Sequence, residues 1–155
     1  MNTIDFANAA DIEAMADLLY ELFALESDFK PERAKQLAAL RWILEHPAHG
    51  RLFVARAGDR VVGMANALIS ISTAEGGPVL ILEDVILAAG HRGGGGGRQL
   101  VEHVLRWAAA AGMPRVTLLA DKDNAAALAF YARLGFEESA MAVRRFRTDA
   151  LRTRT

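Results

Sequence analysis

Cysteine is missing from this 155-residue chain, and its absence removes disulfides, thiolate metal centres and thiol nucleophiles together. Neither sign of charge prevails: 18 Lys and Arg stand against 19 Asp and Glu. No overall field therefore draws the protein onto nucleic acid or an anionic membrane, and any phosphate binding has to be local. No uninterrupted apolar stretch approaches the length that spans a bilayer. Met1 to Asp11 lacks the basic and then apolar order of a signal peptide, so a cytoplasmic location is the expectation. The four histidines, His46, His49, His91 and His103, show no metal-ligand spacing, and no metal is expected. The length fits one domain, long enough to bury a core without staples.

Periodicity supplies the outline. Thr3 to Phe6 is a short strand segment, and Asn8 with Asp11 forms a capping pair ahead of an apolar helical stripe at Ile12, Met15, Leu19, Leu22 and Phe23. A second helix carries Leu37, Leu40 and Leu44, with Pro31 in its first turn and Pro47 closing it. Leu52 to Val54, a Gly58-Asp59 turn and the segment from Val61 to about Ser72 read as a β-hairpin. Val79 to Leu87 is almost continuously apolar, as in a central strand covered on both faces, except for Glu83 and Asp84. A helix with Leu100, Val104 and Trp107, a strand at Val116 to Leu119, a helix from Asn124 to Leu134 and a last strand from Phe136 to Phe146 complete the chain. The order is strand, two helices, three strands, helix, strand, helix, strand, an α/β layer structure. Residues 1–147 are expected to form the domain and 148–155 a flexible polar tail.

Five consecutive glycines, Gly93 to Gly97, join the central strand to a helix. A helix start presents unpaired N–H groups with partial positive charge, and glycines let the backbone approach an anion closely. Arg92 and Arg98 flank the run. The nucleotide P-loop needs Lys and then Ser or Thr after its last glycine, where this chain has Arg98-Gln99. The dinucleotide pattern G-x-G-x-x-G would need glycine at Arg92 or Arg98. Both readings fail.

Arg92-Gly93-Gly94-Gly95-Gly96-Gly97 does fit the pattern Arg/Gln-x-x-Gly-x-Gly/Ala, and Asn124 to Phe136 carries an Asn, Ala, Phe-Tyr, Gly-Phe block. In these two motifs, in this order, the chain resembles the GNAT family of N-acetyltransferases. The resemblance implies a single-domain mixed sheet splayed between the fourth and fifth strands, with acetyl-CoA as cosubstrate in the gap. It implies that backbone near Ile86 and Leu87 holds the pantetheine arm, that Arg92, Gly93, Gly94, Gly95, Gly96, Gly97 and Arg98 take the pyrophosphate, and that Asn124 lines the cofactor side. It also implies that a homodimer is a common arrangement. Gly96 stands where the family often has a bulky apolar residue, which predicts a small void there.

Acetyl transfer to an amine needs a neutral nucleophile, a stabilised oxyanion and a proton for the leaving thiolate. Tyr131, in the matched block, is the family's usual acid, and its alternative is a core position beside Phe130. Glu83 is the expected base, on a strand where relatives place a basic group. Strand alternation predicts that Asp84 faces the other way. A carboxylate among Leu82, Val85 and Ile86 should have a raised pKa, and a buried ion pair is the alternative for it. Glu21, Glu26 and Asp28 either offer negative charge to a cationic amine or form a solvated helix face. Arg144, Arg145, Arg147, Arg152 and Arg154 either touch the adenosine phosphate or an acidic partner, or form a solvated run, the commoner case. The acceptor is a small-molecule or peptide amine. A regulatory domain that binds acyl-CoA without turnover, and a transferase for another acyl group, are the competing functions.

Overall fold

The computed structural model describes residues 2–26 and 28–154. Met1 and Thr155, the outer ends of the expected domain and tail, lie outside the described residues, as does Ser27.

After strand β1 (Thr3–Phe6), the Asn8 side chain accepts from the Ala10 N–H at 2.9 Å and Asp11 accepts from the Asn8 N–H at 2.8 Å. This reciprocal cap launches α1 (Ile12–Leu25), whose predicted stripe buries Ile12, Met15 and Leu19. Helix α2 (Arg33–Glu45) begins two residues beyond Pro31, because Glu32 is still extended; Pro31 precedes the helix rather than occupying its first turn. Strands β2 (Gly50–Ala57) and β3 (Arg60–Ser72) form the expected hairpin around Gly58-Asp59, and β4 (Gly77–Leu87) returns beside β3. Helix α3 (Gly96–Ala110), β5 (Val116–Leu118) and α4 (Ala125–Arg133) follow.

The sheet order is β1-β2-β3-β4-β5, antiparallel throughout except for β5, which runs parallel to β4. Alternation along the strands divides the core in two. Leu52, Val54 and Met64 pack with α1 and α2 on one face, while Phe53, Ala55 and Ala65 meet Leu100, Val101 and Val104 of α3 on the other. Burial of side chains such as Phe53, Met15 and Leu40, all almost free of solvent, contributes about 1.5–3 kcal/mol each.

Two features of the sheet shape the site. Strand β5 pairs only with Leu80, Ile81 and Leu82, so β4 continues from Glu83 to Leu87 without a parallel neighbour. That is the splay expected between the fourth and fifth strands. The strand expected from Phe136 to Phe146 is not formed: residues 136–147 have no sheet partner and run largely exposed, Met141 at 86% and Phe146 at 72%. A three-residue β5 offers little edge to add to, and Val143 is the segment's single β-branched residue. Thr148–Arg154 forms a 3₁₀ turn. No helix among the described residues is long and apolar enough to cross a membrane.

Candidate active site

The glycine run does what a helix-initiating anion loop requires. A 3₁₀ turn at Ala89–His91 follows β4, then Gly93 and Gly95 take φ of +84° and +83°, conformations costly for any residue with a Cβ. Gly95 is the N-cap of α3 and supplies no side chain, so the first-turn N–H groups of the helix are left for another acceptor. A Cβ on Gly93, Gly94 or Gly95 would meet nothing within 4 Å, so this side of the turn is open. The void expected at Gly96 is absent. A Cβ there would lie 2.9 Å from the Asn2 side chain and 3.0 Å from that of Leu87, which fill the space. Gly97 is also close-packed, since its Cβ would come 3.4 Å from the Phe130 ring of α4.

The flanking arginines are tied into the protein. Arg92 donates to the Leu87 carbonyl at 2.9 Å and lies 3.5 Å from Glu21 on α1, so it pins the strand end to the helix. Arg98 pairs with Glu102 at 2.8 Å along α3. Asn124 caps α4, accepting from the Ala127 N–H at 3.1 Å. Ile86 and Leu87 lie in the stretch of β4 that β5 does not reach.

Glu83 and Asp84 behave differently from a simple strand. The pairing shifts from Met64 opposite Ile86 to Asn66 opposite Glu83, which puts one extra residue on β4, and Asp84 takes φ +54°. This is a β-bulge, with Asp84 in a left-handed conformation that aspartate tolerates better than most. The bulge overturns the alternation argument: Glu83 and Asp84 line one pocket together, instead of facing opposite sides. Asn66, 6% exposed, donates to Asp84 at 3.1 Å and fixes the bulge from β3.

That pocket, about 200 Å³, is completed by Phe23, Glu26 and Phe29 from the end of α1 and beyond, Leu119 after β5, and Arg145. Its electrostatics are those of crowded carboxylates. Burial first, and then Asp84, Asp121, Asp28 and Glu83, push Glu26 up to about 7. Burial and the neighbouring Asp84 raise Glu83, with Arg145 opposing; burial raises Asp84, with the Asn66 hydrogen bond opposing. Tyr131 on α4 packs between Phe130 and Phe136, ring centroids 5.1 and 5.6 Å away, and burial and then Glu26 push its phenol up to about 12. It is a group that keeps its proton.

Glu26 and Asp28 were open between a substrate site and a solvated face. Glu26 faces the pocket, and Asp28 binds Arg145 at its rim at 2.8 Å. Glu21 turns to Arg92 instead. Arg145 departs from the solvated run of its neighbours. Its role was hidden because residues 28 and 145 are 117 positions apart. Of the histidines, His46 stacks on Trp42 at 4.0 Å near His49, and His103 meets Phe53 edge-on at 5.8 Å. Among the described residues no group of three His, Asp or Glu is placed to hold a metal ion. A wider depression of about 530 Å³ beside the start of α1 is built around the Arg56–Asp11 ion pair, 2.7 Å, whose charges satisfy each other.

The carboxylates with raised pKa thus line a pocket at the stretch of β4 that β5 leaves unpaired, the phenol of Tyr131 feels the charge of Glu26, and the uncapped helix start follows the end of β4. Residues 13–136 match the model of the Acetyltransferase (GNAT) family. Among curated relatives, the chain is 33% identical over 92 residues to N-acetyltransferase family 8 member 2 of Rattus norvegicus, covering 59% of this chain and 41% of that protein. It is 31% identical over 116 residues to the uncharacterized N-acetyltransferase YobR of Bacillus subtilis (strain 168), covering 75% of this chain and 43% of that protein. It therefore spans about two fifths of the length of the curated relatives it matches. Among solved structures, a possible acetyltransferase from Clostridium difficile 630 superposes with a TM-score of 0.86 at 18% identity, over 95% of this chain and 97% of that one. AAC(6')-Iy in complex with the bisubstrate analogue CoA-S-monomethyl-acetylneamine superposes with a TM-score of 0.77 at 24% identity, over 95% and 98% of the two chains.

Proposed function

The chain belongs to the GNAT family of acetyltransferases, and from that premise we propose that it moves the acetyl group of acetyl-CoA to a primary amine by direct attack in a ternary complex. The observation that supports this reading is the pocket that Glu26, Glu83 and Asp84 line at the open edge of β4, with Tyr131 within electrostatic reach of Glu26 and an uncapped, glycine-lined helix start following the same strand. The CoA-containing analogue bound to AAC(6')-Iy, on the same fold, supports a CoA thioester as donor and an amine as acceptor.

Acetyl-CoA supplies an activated acyl carbon and a thiolate leaving group. In this reading the N–H groups from Gly93 to Gly97, with Arg98 at the rim, hold the pyrophosphate, and β4 backbone at Ile86 and Leu87 aligns the pantetheine arm. Asn124, at the start of α4, lines the same side. Glu83 takes the first proton from the incoming ammonium, directly or through water, because only the neutral amine has a lone pair to attack with. Its raised pKa suits it to that exchange. As the new C–N bond forms and the C–S bond breaks, the amine's second proton passes to the Tyr131 hydroxyl, which relays a proton to the leaving sulfur. Tyr131, its phenol held at about 12, stays a hydroxyl throughout: it hydrogen-bonds the departing sulfur and passes its proton there only as it takes the amine's second proton in return.

Calorimetric titration of acetyl-CoA and free CoA, followed by thiol release with a panel of primary amines, tests the reading. Binding with amine-dependent release is the expected result. Binding without release would leave a CoA-binding regulatory domain, and failure to bind either form would remove the cofactor assignment.

A further inference from the structure

We propose that the pocket at the β4 bulge is the acceptor site for a diamine: one nitrogen reacts at the inner carboxylates while the second, still charged, takes Asp28 from Arg145. The inference rests on the acetyl-transfer reading and adds the acceptor's chemical class.

Three carboxylates, Glu26, Glu83 and Asp84, line the pocket against a single lining cation, Arg145. That guanidinium binds Asp28 at 2.8 Å and lies 5.4 Å from the centre of the Phe29 ring. It thus occupies a carboxylate and an aromatic face, the two partners an organic ammonium would use. Its hold is weak. Arg145 and Asp28 are 48% and 59% exposed, and ion pairs at that exposure contribute little. The segment that carries Arg145 has no strand pairing to keep it there. A ligand cation of similar chemistry can therefore replace it at small cost.

At the inner end no cation among the described residues forms an ion pair with Glu26, Glu83 or Asp84; Arg145 acts on Glu83 only at a distance. Behind Asp84, the buried Asn66 uses its amide N–H₂ on that carboxylate and leaves its Oδ1 without a hydrogen-bond partner, an acceptor oxygen with no donor in a site already rich in negative charge. Phe23 and Leu119 add apolar surface to the pocket lining, suited to the methylene run of a diamine. A monoamine would satisfy the inner carboxylates alone and leave the Arg145–Asp28 pair intact.

The test compares α,ω-diaminoalkanes with n-alkylamines of matching chain length, by thiol release from acetyl-CoA and by calorimetry with the protein alone. The diamine should show a KM about twofold below that of its monoamine partner, less than the worth of one partly exposed ion pair because the Arg145–Asp28 pair is given up for it. Asp28→Asn should bring that ratio to about one, and Arg145→Gln should widen it, since the competing cation is gone. A wild-type ratio of one, or a ratio that survives in Asp28→Asn, would overturn the proposal while leaving acetyl transfer standing. If no amine is acetylated, the functional reading fails. Calorimetry then decides the pocket: diamine uptake lost in Asp28→Asn upholds it, and no diamine uptake by the wild type overturns it.

Discussion

The glycine turn and the carboxylate pocket adjoin the same strand, β4, and are built by opposite means. The turn is one contiguous stretch in which backbone conformation supplies the chemistry: positive φ at Gly93 and Gly95, and a helix start with no side-chain cap. The pocket is assembled from the end of α1, the β4 bulge, the residue after β5 and the segment carrying Arg145, and its chemistry lies in side chains. A backbone site should be sensitive to an added Cβ and tolerant of changed charges. A side-chain site should show the reverse. The separation matters for a transferase, because the donor can be held by generic backbone while the acceptor wall varies.

The largest effect should come from Tyr131→Phe, which removes the hydroxyl proposed to relay the proton and keeps the ring packed between Phe130 and Phe136. Turnover should fall about a hundredfold, the usual worth of one general acid, with CoA affinity unchanged. Steady-state kinetics and calorimetry check this, and a parallel loss of CoA binding would break the division between the two regions. Gly95→Ala should do the converse. An L-residue at φ +83° costs about 1–2 kcal/mol, so the turn should distort, CoA binding should weaken roughly tenfold, and the acceptor KM should hold.

Glu26→Gln sharpens the comparison through pH. The folded protein binds the Glu26 proton more tightly than the unfolded chain, its pKa lying at about 7 against an ordinary 4.5. Stability from that proton is full below pH 4.5 and is lost as pH rises through about 7. The variant should therefore gain thermal stability over the wild type across that window, by on the order of 2 °C for a partly exposed group in a chain of this size. It should also lose any inflection near pH 7 in kcat/KM, whereas the turn variants should keep it. The smallest effect belongs to Arg98→Gln. It breaks a 2.8 Å pair with Glu102 that is exposed on α3, worth about 0.2–0.5 kcal/mol, and should weaken CoA binding only slightly. A large loss there would mean that side-chain charge, not backbone, holds the donor.

Much of the fold was legible because local chemistry and periodicity agree. The Asn8–Asp11 cap, the α1 stripe, the Gly58-Asp59 hairpin and the glycine-led helix all lie within short windows, and the structure has each where the residues put it. The strand expected at Phe136 to Phe146 failed for a nonlocal reason. A strand exists only where an edge is free to pair with it, and a three-residue β5 provides almost none. The facing of Asp84 failed for a related one: a single extra residue in the register with β3 breaks the alternation, and no property of Glu83-Asp84 announces it.

By itself, then, the sequence determined the order of elements as far as α4, the glycine turn and the tyrosine block, because each depends on residues within a helix turn or a strand of one another. Only the tertiary structure decided that Glu26, Glu83 and Asp84 share a pocket and that Arg145 seals it against Asp28. Those charges are brought together by the packing of α1 and the bulge of β4, and their mutual repulsion arises only once the chain has folded and excluded the water between them.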